Sequence, residues 1–105
     1  MTARLVGYPK KVAFRSEKLR RAVSALPCVC CQREGRTQAA HANQGKGMGL
    51  KAPDSWLAAL CVECHTRLDQ TGGMLKDERR AFEMEMIAKT YIALIEAGLL
   101  QVTTG

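Results

Sequence analysis

Cys28, Cys31, Cys61 and Cys64 fall into two Cys-x-x-Cys pairs, spaced C-x2-C-x29-C-x2-C. Thiolates are soft anionic donors, and two such pairs can close one tetrahedral zinc site. Cys30 stands inside the first pair as a fifth thiol outside that spacing. The chain has two histidines, His41 and His65, and both lie near these pairs in sequence. His65 and Asp69 are four residues apart, so a helix would present them on one face. Imidazole nitrogen with carboxylate oxygen suits Mg²⁺, Mn²⁺ or Zn²⁺ with open coordination positions. An imidazole can also take a proton from water near neutral pH, the chemistry His41 offers in the loop-rich stretch between the pairs. Asp54 has three readings: a third metal ligand, an orienting group for His41, or a helix cap. Each residue also has a plainer role. His41 suits a backbone hydrogen bond, His65 a helix surface, and the thiols disulfides.

The 105 residues make one domain of small size, 47% hydrophobic but with only five aromatic side chains. So small a core gains from a metal staple. The first 30 residues carry no secretory pattern, since Arg4, Lys10, Lys11 and Arg15 interrupt any apolar run. No stretch has the length of a membrane span. A cytoplasmic protein is expected, in which paired thiols favour zinc over disulfides. The net charge is +6 and unevenly spread: residues 1–36 hold nine Lys and Arg against Glu17 and Glu34. That asymmetry points to a polyanion, most simply nucleic acid, against the plainer reading of solvated surface charge.

These groups need elements to hold them. Residues 1–15, with Gly7 and Pro9, read as a basic arm, and 16–105 as a single domain. Ser16 is an N-cap for a helix carrying Leu19, Ala22, Val23 and Leu26, which Pro27 ends. Thr37–His41 reads as a short strand. Residues 55–60 read as a second strand or a helical turn. A helix is expected to open near Cys64, broken by Gly72-Gly73. A last helix over 77–97 shows an apolar stripe of Phe82, Met86, Ile87, Tyr91, Leu94 and Ile95, with Gly98 as its stop. Met84 and Met86 read as core filler. Between the pairs, Gly45-Lys46-Gly47-Met48-Gly49-Leu50-Lys51 could approach phosphate closely, but it lacks the closing Gly-Lys-Ser/Thr of a Walker loop. No βαβ pattern surrounds either Cys pair, which argues against a thioredoxin-like role.

Together these motifs resemble the HNH endonuclease superfamily, and more narrowly the small phage and prophage nucleases of the YbcO-like kind. There is a looser similarity to the RecA-dependent phage nuclease. The resemblance runs from Leu26-Pro27-Cys28 through Ala39-Ala40-His41-Ala42-Asn43, the glycine-rich segment and Asp54 to Leu60-Cys61, Cys64-His65 and Asp69-Gln70. It implies an α+β, zinc-stapled fold. An HNH ββα-metal (treble-clef) core at 28–70 would sit between N-terminal and C-terminal helices. It implies that His41 is the general base, oriented by Asp54 because Asn43 is too close. His65 and Asp69 would bind the catalytic ion, Mg²⁺ or Mn²⁺ with Zn²⁺ as a further option, and Cys28, Cys31, Cys61 and Cys64 a structural Zn²⁺. One departure stands out. Many HNH motifs have an acid or histidine before the base, as a metal ligand, and here that residue is Ala40.

The expected function is therefore a metal-dependent endonuclease that hydrolyses DNA phosphodiesters in a bacterial host cell. Arg20, Arg21, Arg33, Arg36, Lys46 and Lys51 would hold the DNA backbone. The competing expectation is a non-catalytic zinc module that binds nucleic acid. A homodimer, or contact with a host or phage recombination protein, is left open.

Overall fold

The computed structural model describes residues 14–42, 52–69 and 75–103. Ser16 caps α1 (Glu17–Ser24), its hydroxyl accepting the Leu19 N–H at 3.1 Å. This first turn has an oxygen for an otherwise orphaned donor. The apolar side of α1 buries Val23, with Leu26 just beyond the helix. Strands β1 (Thr37–His41) and β2 (Leu57–Cys61) follow, antiparallel, in a register running from Thr37 opposite Cys61 to His41 opposite Leu57. Helix α2 (Val62–Asp69) begins directly after β2, two residues earlier than the expected start near Cys64. Helix α3 (Lys76–Glu96) completes the described elements.

The ambiguity at residues 55–60 resolves as a strand buried at every position. Its outer edge is covered rather than exposed. Ala59 sends its N–H to Thr90 Oγ1 of α3 at 2.9 Å, and its carbonyl accepts the Val29 N–H at 2.9 Å. Both backbone groups of Ala59, which face away from β1, thus have partners, which blocks strand addition at that point.

Alternation along the strands sorts their side chains. Ala40, Ala42, Ala58 and Leu60 line a cavity with Leu68 of α2 and with Met86 and Ile87 of α3. Ala39 faces the other way and lines a groove with Glu17 and Arg20 of α1. The core therefore has helices on both faces of a two-stranded sheet.

Helix α3 differs from its sequence pattern in rotation. Its buried residues are Glu83, Met86, Ile87, Thr90 and Leu94. Phe82 and Tyr91 are half-buried, while Ile95 is 60% exposed and Met84 46%. Ile95 and Met84 are thus corrected from core to surface. Thr90 tolerates burial because its hydroxyl also donates to the Met86 carbonyl at 2.7 Å. Gly98 stops the helix as expected, at φ +75°. The Leu99 N–H bonds the Leu94 carbonyl and the Gly98 N–H bonds the Ile95 carbonyl. This pair of bonds is a Schellman ending, which needs the left-handed residue that glycine supplies. Among the described residues, no helix is long and apolar enough to cross a membrane.

Candidate functional site

The sulfur atoms of Cys28, Cys31, Cys61 and Cys64 all lie within 4.8 Å of one another. A tetrahedral zinc ion with bonds of about 2.3 Å spaces its sulfurs about 3.8 Å apart. The Cys31 and Cys61 sulfurs are 3.6 Å apart, so the donor set fits the ion. The backbone makes the arrangement. Gln32 takes a left-handed φ of 69° and its N–H bonds the Cys28 carbonyl, so the first pair turns tightly. The N–H groups of Cys30 and Cys31 then point at Cys28 Sγ, each at 3.4 Å. Burial pushes the Cys28 thiol up, but backbone N–H groups of Cys61, Cys31 and Cys30 outweigh it and bring it to about 6. Burial pushes Cys64 up, and the neighbouring thiols add to that. A cation among them would reverse that crowding by taking four thiolates together. Cys61 ends β2 and Cys64 sits in the first turn of α2, where the helix dipole favours anions. Cys30 is exposed and outside the cluster.

At the opposite end of the hairpin, Asp54 is fully buried and accepts four hydrogen bonds. Its Oδ1 lies 2.7 Å from His41 Nε2 and 3.0 Å from Arg15 Nη1. Its Oδ2 takes the Ser16 N–H at 2.7 Å and an Arg20 N–H. Burial alone would raise this carboxyl. The bonds from His41, Ser16, Arg15 and Arg20 outweigh it and hold it well below the usual carboxylate range. An ionised carboxylate only accepts. The proton in the His41–Asp54 bond therefore sits on Nε2, leaving the Nδ1 lone pair as the basic site.

His65 lies in the second turn of α2, with Nδ1 2.8 Å from Gln38 Oε1 of β1. The amide oxygen accepts, so Nδ1 carries the proton and Nε2 has donor character toward a metal. His41 and His65 border one cavity of about 10 Å³, together with Ala40 and Glu83. That is room for about one water or a small ion, not for a nucleotide. The two rings approach it differently: His65 lies on the α3 side of the sheet, while His41 is held toward α1 by Asp54.

Several expected site residues are placed otherwise, or not at all. Asp69 ends α2, but its side chain lies outside the described residues, as do Asn43, Lys46, Lys51, Gly72-Gly73 and residues 1–13. Asp54 does not line the cavity, so the structure removes it as a metal ligand there and leaves it as the partner of His41. The four arginines expected at DNA are each paired with a carboxylate: Arg20 with Asp54, Arg21 with Glu17 at 2.7 Å, and Arg33 and Arg36 with Glu63 at 2.9 and 3.1 Å. Arg15, read as part of an arm, donates to the Ala52 carbonyl and to Asp54. Gln38 and Glu83 were not singled out from the sequence. Gln38 carried no visible signal. Glu83 did: it is a charge three and four residues before Met86 and Ile87, within their stripe.

A sequence-family profile matches residues 2–94, and its description is protein of unknown function (DUF968). Comparisons with curated proteins and with solved structures found no match.

Proposed function

We propose that this chain, which belongs to the DUF968 family, is a metal-dependent endonuclease of the HNH kind acting on DNA. The observation that carries this reading is the His41–Asp54 pair at 2.7 Å. A histidine held by an ionised, buried carboxylate has a fixed tautomer, and the carboxylate stabilises the charge the ring acquires. Nδ1 of His41 takes the proton from water, and the resulting hydroxide attacks phosphorus. Arg15, Arg20 and the Ser16 N–H keep Asp54 ionised and in position through this step.

His65 and Asp69 would hold a divalent ion. The Gln38–His65 bond supports this, since ligating histidines typically donate their second ring N–H to an oxygen. When bound, such an ion supplies Lewis-acid stabilisation of the phosphate and the leaving 3′ oxygen. Zinc in the four-thiol cluster would be structural, fixing the start of α2 and hence His65. The strand–strand–helix succession from Thr37 to Asp69 is consistent with the HNH resemblance. The basic first third, with Lys46 and Lys51, would engage phosphates without reading bases, so binding should fall steeply with salt.

Plasmid nicking with Mg²⁺ or Mn²⁺ tests the reading. His41→Ala is expected to lose about 100-fold or more of the rate, the usual contribution of a general base. Equal cutting by both proteins would remove His41 from the chemistry. One observation favours a second reading, a zinc module that binds nucleic acid without cleaving it: Ala40 puts no donor where the motif places a metal ligand. Zinc-loaded protein that binds DNA but leaves every nucleic acid intact would select that reading.

A further inference from the structure

We propose that α3 pairs with α3 of a second copy of this chain, antiparallel across a two-fold axis at Ile92. This surface lies on the side of α3 away from the sheet and is independent of the endonuclease reading.

Helix α3 is apolar on two opposite sides. Met86, Ile87 and Leu94 on one side are buried, with Glu83 and Thr90 among them. Ala81, Met84, Ala88, Ile92 and Ile95 on the other are exposed. At 100° per residue these five share a strip about 80° wide. Leu99 follows just past the helix end. Met84, Ile92, Ile95 and Leu99 are 46%, 54%, 60% and 47% exposed. Large apolar side chains grouped in this way mark an interaction surface, and a helix apolar on both sides needs cover on both. The charges beside the strip select the occupant. Lys89 and Glu96 line a groove with Ile92, Pro27 and Val29. They are seven residues apart, outside the reach of side-chain pairs within one helix. Lys89 has Glu85 at 3.3 Å but is half exposed, and its ammonium has donors for a second carboxylate. Among the described residues, Glu96 has no ion pair. A polyanion would meet Glu96, and a uniformly basic partner would meet Lys89. A second α3 running the other way suits both, because Lys89 of each copy faces the partner's Glu96. The same register seats Ile92 on the partner's Ile92, Ile95 opposite the partner's Ala88, and Met84 near the partner's Leu99. Large side chains thus meet small ones, and the strip reads nearly the same in both directions from Ile92. A surface that is its own complement is what a two-fold interface requires.

The test is analytical ultracentrifugation of the full, zinc-loaded chain from about 1 μM to about 1 mM. Wild type is expected to pass from monomer to dimer within that range. Ile92→Asp should weaken the dimer about tenfold or more. Zinc content and circular dichroism should not change, because Ile92 is exposed in the single chain. Should Ile92→Asp alter the fold, charge reversal decides the point. Lys89→Glu and Glu96→Lys should each weaken the dimer about tenfold, since each sets like charges together twice across the axis. The variant carrying both should regain the wild-type dissociation constant. The two positions do not touch within one helix, so such rescue comes only from contact between copies. A wild type that stays monomeric throughout would overturn the proposal and leave the face to another occupant, residues 1–13 of the same chain or a different protein. A dimer that Ile92→Asp leaves intact would place the interface elsewhere and overturn it equally. Single reversals that weaken the dimer without rescue in the double variant would overturn the antiparallel pairing, and the proposal with it.

Discussion

The two ends of the β1–β2 hairpin are organised by opposite electrostatics. At the Cys61 end, four sulfur donors gather within 4.8 Å of one another. At the Leu57 end, one carboxylate gathers His41, Arg15, Arg20 and a backbone N–H. The first is a set of thiol donors that fits a cation from solution. The second is complete in itself. A single strand pair therefore joins a four-thiol cluster suited to a metal ion to a carboxylate cluster whose charge depends on pH.

The sharpest way to break the comparison is to remove the metal at one end. Cys61→Ser, or a strong zinc chelator, is expected to abolish cooperative unfolding and lower the helical signal in circular dichroism, because metal affinity in such sites is folding energy. Persistence of a cooperative transition after verified zinc loss would show that the hairpin closes without the thiols. The matching change at the other end is Asp54→Ala. It leaves two guanidinium groups and a histidine around an empty position, and is expected to cost about 2–4 kcal/mol in urea unfolding. The lower part of that range applies because both arginines keep 39% of their side-chain surface exposed. Zinc stoichiometry should not change.

Acid titration sharpens the same contrast. The Asp54 carboxyl is depressed in the folded state, from an ordinary value of 3.8. Its contribution is therefore complete above that ordinary value and is lost as pH falls through the lower folded one. Asp54→Asn should flatten the part of the stability profile below about pH 4, measured by urea midpoints across pH. A smaller effect is expected from Thr90→Val, which strips the Ala59 N–H of its partner beneath both ends. The expected loss is about 1–3 kcal/mol, the cost of a buried donor left unsatisfied. The smallest effect belongs to Cys30→Ser: zinc content and melting temperature unchanged, since Cys30 is exposed and outside the cluster.

The sequence carried the thiol end well, because a metal site is set by residue type and spacing, and both are visible in a string of letters. Ser16 and Gly98 were equally legible, since a helix cap and a left-handed ending have narrow chemical requirements. The strand at 57–61 was ambiguous, for a short apolar run buried on both faces has no alternation to read. Helix α3 misled in rotation. Its apolar stripe runs on to Ile95 in the sequence, yet Thr90 and Glu83 take buried positions, Thr90 with the Ala59 N–H of β2 as its partner and Glu83 with Arg79 one turn earlier. The arginines were the least legible. Their number was plain, but whether a guanidinium meets Asp54, Glu63 or solvent depends on which loops converge, and spacing along the chain does not encode that.

The turn at Ala52–Ser55 has a consequence of its own. Phe14 accepts the Asp54 N–H at 2.8 Å, Arg15 reaches the Ala52 carbonyl, and the Tyr91 hydroxyl donates to the Ser55 carbonyl at 2.7 Å. Segments from near both termini thus clasp the same four-residue bend. Trimming through Arg15 or through Tyr91 would slacken one imidazole's tether from opposite directions, although Tyr91 lies fifty positions from His41 in the chain.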